Sequence, residues 1–260
     1  MSPPGPLQGQ SLAAAIVSRA MQVNLGSVYQ DAWRIYRLLF RRSVTTAAIV
    51  FALIGLLDLA NDRAGGTGTQ ILLGLVAFAA GAGGPVLVQG ALVEIVRNIH
   101  EGRRPEPIGN LFSRAQRRFW SLLWASIVYG LGVIFGLILL IVPGLLAASR
   151  WCLMAPLIML EGTDAGTARR KSSELVRAQT WPVLGVVVGA YLLVAAPLWL
   201  LYFLGPTDLL FVYLTHFIWS SLTAPFEAHV LTVLYYRLTD PDRPVIHEDV
   251  EHWTSVWEGA

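Results

Sequence analysis

Apolar and polar positions alternate along this chain in long blocks with abrupt edges. No charged residue falls between Arg63 and Glu94, between Arg118 and Arg150, or between Arg177 and Asp208. A helix needs about 20 apolar residues to cross a hydrocarbon core of about 30 Å, and each interval is long enough. The blocks predict six membrane spans, about 43–60, 70–98, 119–142, 145–160, 181–204 and 209–236. Between them lie shorter stretches with helical amphipathicity. Val28, Ala32, Ile35, Tyr36 and Leu39 form one apolar stripe, with Arg34, Arg37 and Arg41 on another face. Ile108, Leu111, Phe112, Ala115 and Phe119 form a second, and Ala168, Ser172 and Leu175 form a third beside Arg170, Glu174 and Arg177. Such basic amphipathic segments suit the membrane interface. Pro143-Gly144 and Gly205-Pro206 are expected to turn the chain between spans.

The expected fold class is therefore an all-α, polytopic membrane helix bundle with six transmembrane helices and basic interfacial helices. In lipid, backbone polar groups must be satisfied within the segment, which helices achieve. The short alternating strands of a membrane barrel are absent from the pattern. Residues 1–26 are expected to be a disordered tail, 27–238 the membrane domain and 239–260 a polar, acidic cytoplasmic tail.

A threefold pattern underlies the blocks. Each even-numbered span carries a small residue followed by proline: Gly84-Pro85, Ala155-Pro156 and Ala224-Pro225. These prolines, read as helix breaks, lie 71 and 69 residues apart. Each odd-numbered span follows a basic amphipathic segment. The unit is an interfacial helix, a span, an outer turn and a proline-containing span. Two spans per unit make the copies parallel, and repeat interfaces are where transporters place their sites.

Composition agrees with this pattern, and charge adds orientation. The chain of 260 residues is 55% hydrophobic and 14% charged, against about 25% charged residues in soluble domains. Of its 19 basic residues, all but Lys171 are arginine. They concentrate before span one, in 97–118, in 161–180 and in the tail, whereas the opposite loops hold Arg63 alone. The positive-inside rule then places both termini in the cytoplasm of a cell with an inner membrane. The same arginines suit anionic lipid of the cytoplasmic leaflet, not nucleic acid. The single cysteine, Cys152, excludes an intramolecular disulfide.

Candidate chemistry is confined to ionisable groups inside the spans, which are functional candidates by default. Arg150, Asp58, His216 and Glu227 form the expected intramembrane polar cluster, with Arg150 paired to Asp58. Glu94 is expected to be neutralised by Arg97. Glu227 and His229 are two residues apart and so on different helix faces, which excludes a shared metal. His247, Glu248, Asp249, Glu251 and His252 read as a solvated tail. Gly-x-Ser-x-Gly, His-Glu-x-x-His, Cys-x-x-Cys and Walker motifs are absent, so no enzyme, metal or cofactor is expected.

Glu161-Gly162-Thr163-Asp164-Ala165-Gly166-Thr167-Ala168-Arg169-Arg170-Lys171-Ser172-Ser173-Glu174-Leu175-Val176-Arg177, followed by Trp181, resembles the signature after span four in the membrane domain of glycerophosphoryl diester phosphodiesterases. Pro225-Phe226 and Leu234-Tyr235-Tyr236-Arg237-Leu238 resemble the closing pattern of that family. Lys171 and Arg237 depart from it. The resemblance covers 26–238 and implies a six-span membrane module standing without the phosphodiesterase domain; it transfers no catalytic residue. The function expected is a non-enzymatic scaffold, anchor or regulatory module linked to membrane lipid processes, with a protein partner or a second copy of itself. The alternative is a small transporter or lipid-handling protein with a site at the repeat interface around Arg150.

Overall fold

The computed structural model describes residues 25–104, 106–204, 208–241 and 244–245. Among them the secondary structure is helical throughout, without a strand. In chain order the helices are α1 (Leu25–Leu38), α2 (Phe40–Arg63), α3 (Thr67–His100), α4 (Ile108–Arg117), α5 (Phe119–Leu139), α6 (Ile141–Trp151), α7 (Met154–Glu161), α8 (Ala165–Val176), α9 (Thr180–Leu204) and α10 (Leu209–Thr239). A single 3₁₀ turn, Arg177–Gln179, joins α8 to α9. The tails expected to be disordered or acidic, and the Gly205-Pro206 turn, lie almost wholly outside the described residues.

Five stretches are long and apolar enough to cross a membrane: Phe40–Arg63, Thr67–His100, Phe119–Leu139, Ile141–Glu161 and Ala165–Leu204. The chain is a multi-pass membrane protein. The sixth expected span corresponds to α10, a helix of 31 residues that packs against α2 and α3.

The helices pair in cyclic order. The amphipathic helix of each unit packs on the proline-containing span of the unit before it: α4 on α3, α8 on α7, and α1 on α10, which closes the ring. The three proline-containing spans, α3, α6–α7 and α10, touch one another at the centre, and α2, α5 and α9 each bridge two of them. Each docked amphipathic helix carries an ion pair to its platform. Arg114 of α4 meets Glu94 of α3 at 3.0 Å, Lys171 of α8 meets Glu161 of α7 at 2.5 Å, and in the third unit the polarity reverses, Arg237 of α10 meeting Asp31 of α1.

Burial follows the prolines. Ile71, Leu72, Leu75 and Phe78 of α3 are exposed, whereas Val86–Val96, apart from Leu87 and Gln89, is buried. In α10, Leu210–Ile218 is mostly exposed and Phe226–Tyr236 nearly all buried. One end of the bundle therefore presents apolar side chains to lipid, and the other contains the packed core. Tyr29, Trp33 and Tyr36 of α1 enclose Phe226 there, with ring centroids 5.9–6.3 Å apart. Aromatic pairs at this spacing add about 0.5–1.5 kcal/mol beyond area burial.

Two turns differ from expectation. Pro143-Gly144 does not reverse the chain; Leu140 does so, in an extended conformation (φ −164°, ψ 144°). Pro143 lies in the first turn of α6, where its missing N–H leaves no helical bond unmade. The loop expected over 61–69 shrinks to 64–66, because α2 and α3 both extend beyond their apolar blocks. Pro85 and Pro225 sit within continuous helices. Near Pro156 the span breaks, at Cys152-Leu153 between α6 and α7.

Candidate functional site

The break in the fourth span is held by a residue from the next helix. Ser172 of α8, fully buried, donates its hydroxyl to the Arg150 carbonyl at 2.6 Å and accepts the Leu153 N–H at 3.3 Å. One hydroxyl thus bridges both sides of the interruption, as a buried backbone polar group requires. α8 is positioned by the corner before it. Gly162 takes a left-handed conformation (φ +73°), and its carbonyl accepts from Arg118 at 2.6 Å. Asp164 caps α8, accepting the Thr167 hydroxyl at 2.6 Å and the Thr167 N–H at 3.0 Å. Tyr235 of α10 donates to Glu161 at 3.0 Å. The stretch Glu161–Arg177 is thus a folded corner that ties the second unit to the third.

The Thr167 hydroxyl, and then the Thr167 N–H, hold the Asp164 carboxyl below its ordinary value of 3.8. Its stabilisation of α8 is complete above that value and is lost as pH falls through the lowered one. The protection of the amides at the α8 N-terminus, taken relative to their intrinsic exchange rate at each pH, should therefore fall on acidification below about pH 3.8. An Asp164→Asn protein, which keeps a capping oxygen without the charge, should show no such step. A step of equal size in the variant assigns the acid response to another group.

Next to the break, helices from all three units enclose a cavity of about 200 Å³. The first unit supplies Gln89 and the second Ser126, Tyr129, Trp151, Cys152 and Met154; Val187, Ala190, Glu227 and Leu231 come from the third. Among the described residues no arginine, lysine or histidine lines it. The Glu227 carboxylate, partly buried, has neither an ion pair nor a hydrogen bond among the described residues, and its electrostatic influence reaches Tyr129. One face of the Trp151 ring is covered by the Arg169 guanidinium, 5.4 Å from the ring centroid. An unpaired carboxylate flanked by a tyrosine, a tryptophan, a serine and a carboxamide is suited to a small cation: the acid supplies charge, the rings their negative faces, and the amide and hydroxyl fix orientation.

The four residues expected to form one polar cluster occupy three places. Arg150 is exposed on α6 and makes no ion pair among the described residues; its contribution at the break is its backbone carbonyl. Asp58 interacts instead with Asp62 and His216, beside Tyr213, whose hydroxyl donates to Asp62. The Arg150–Asp58 pair does not form, since α6 packs against α5, α8 and α9, and α2 against α3 and α10. Glu227 faces the cavity. His229, two residues on, points elsewhere as its spacing predicts: it is fully buried, with Nε2 3.4 Å from the Ser43 hydroxyl. Glu94 is neutralised by Arg97 at 3.4 Å as expected, and more closely by Arg114. Among the described residues no group of three His, Cys, Asp or Glu side chains is placed to hold a metal ion.

Gln89, Ser126, Tyr129 and Cys152 were not legible as site residues. Each is an isolated polar or soft residue in an apolar block, and nothing in local spacing distinguishes one that faces a cavity from one that faces a neighbouring helix. Comparison of the chain with protein-family models, with curated proteins and with solved structures finds no match.

Proposed function

We propose that this protein is a non-enzymatic membrane module that binds a small cation between its three repeat units, as a transporter or carrier does. The observation that carries this reading is the unpaired Glu227 carboxylate in a cavity lined by every unit. Intramembrane acids that lack a structural partner mark ion and substrate pathways. The volume, about 200 Å³, is below the roughly 300–1,000 Å³ of clefts that take drug-sized ligands, so the occupant is a compact ammonium of a few heavy atoms. A scaffold that only anchors a partner accounts for the packed end of the bundle but leaves this acid without a role. Arginine asymmetry supports six spans in an inner membrane with both termini in the cytoplasm, and the resemblance to the phosphodiesterase membrane domain supports a setting near membrane lipid.

Calorimetric titration of the purified protein at pH 7 with tetramethylammonium, and separately with sodium acetate, tests the reading. Saturable binding of the cation, weakened at least tenfold by Glu227→Gln and absent for acetate, is expected. Equal binding by the Glu227→Gln variant, or no saturable binding of the cation, overturns it.

A further inference from the structure

A second cavity, of about 280 Å³, lies at the junction of α1 and α2. One non-helical residue, Leu39, separates these helices. Arg37 from the end of α1, and Arg41 and Arg42 from the start of α2, therefore come to line a single notch. Glu106, Pro107 and Ile108, from the segment leading into α4, form the opposite wall, while Leu38, Leu39 and Phe40 give it an apolar side. The lining holds three guanidiniums and one carboxylate, Glu106, which accepts from Arg114 at 2.7 Å and lies within electrostatic reach of Arg42. Arg37 and Arg41 are exposed. Thr45, the remaining polar residue of the lining, donates its hydroxyl to the Arg41 carbonyl at 2.6 Å and so points back to its own helix.

The surroundings of the notch say what kind of anion fits. Trp33 and Phe40 are exposed beside it at 50% and 42%, and the exposed side chains Ile49, Leu53 and Leu56 continue along α2. A basic recess that opens onto a lipid-facing apolar track matches a molecule with a phosphate at one end and acyl chains at the other. Guanidiniums bind phosphate oxygens in bidentate fashion, and the interfacial Trp33 ring suits the headgroup level.

We propose that the notch lined by Arg37, Arg41 and Arg42 binds the phosphate headgroup of an anionic phospholipid whose chains lie along α2. This site is separate from the Glu227 cavity and has the opposite charge preference. The two readings therefore stand or fall independently.

The test is lipid retention by the full chain in detergent, measured by native mass spectrometry after titration with phosphatidylglycerol, phosphatidylcholine or inorganic phosphate. The expected result is a saturable phosphatidylglycerol adduct, at least tenfold weaker in the Arg37→Ala/Arg41→Ala protein and unchanged in Arg117→Ala/Arg170→Ala, which removes equal charge elsewhere. Circular dichroism establishes that each variant is folded, and Arg37→Lys/Arg41→Lys, which keeps the charge but not the bidentate geometry, should recover part of the affinity. Equal retention by the two alanine pairs overturns the proposal in favour of a general attraction to basic surface. So do equal adducts with phosphatidylcholine, or protection by inorganic phosphate as strong as that by lipid, which would make the notch a site for free phosphate.

Discussion

Gly136→Val should separate the α5–α6 hairpin and lower the stability of the whole bundle by about 3 kcal/mol, the upper range for overpacking a well-filled interior. A Cβ at residue 136 would come within 2.6 Å of the Gly144 Cα and 2.7 Å of its nitrogen. These are backbone atoms, so no rotamer change relieves the clash. The reciprocal approach is as close: a Cβ on Gly144 would come 2.6 Å from the Leu137 nitrogen. In lipid, helices gain nothing from hiding apolar surface from one another, and association rests on close packing of small residues. The hairpin also carries the break and one wall of the Glu227 cavity, so its loss should abolish ligand binding as well. Gly130→Val is the control, because a Cβ there meets nothing within 4 Å. Thermal unfolding in detergent should place Gly136→Val far below Gly130→Val. Coincident transitions would show that the glycine contact does not determine the packing.

Ser172→Ala should cost about 2–6 kcal/mol, although it removes one oxygen. The Arg150 carbonyl and the Leu153 N–H both lose a buried partner, and each unsatisfied buried group costs about 1–3 kcal/mol. The effect should be local as well as global: exchange of the Leu153 amide should speed up before that of α5 or α9. Ser172→Thr, which retains the hydroxyl, should recover part of the loss. If exchange at Leu153 is unchanged in Ser172→Ala, the break is held by its own helices and the serine is incidental.

The resemblance stretch Glu161–Arg177 shows how sequence and structure divide the information. Its helical period was legible, because a period depends on residues within a few positions of one another. That Ser172 faces the helix break was not legible, since its partners lie 19 and 22 residues away on a different element. Nor were the neighbours of Gly132 and Gly136, which are Trp151 and Gly144 on the following helix.

The expected cluster of Arg150, Asp58, His216 and Glu227 failed for the same reason. Depth along a helix can be counted from the sequence, at about 1.5 Å per residue. The rotation of each helix about its axis, which decides what faces what, is set by neighbours. Asp58 and His216 shared a level and a face. Arg150 faced outward.

What the sequence by itself determined is the helical class, the alternation of short basic helices with long apolar ones, and the threefold spacing of Pro85, Pro156 and Pro225. Those properties reside in hydropathy blocks, whose length against the bilayer leaves little choice of structure. Tertiary structure alone decided that the units close into a ring with α1 on α10, that the chain reverses at Leu140 rather than at Pro143, that the fourth span breaks at Cys152-Leu153, and that Glu227 faces a cavity shared by all three units. Each of these depends on contacts between residues far apart in the chain, and the local pattern carries no record of which side of a helix will meet which neighbour.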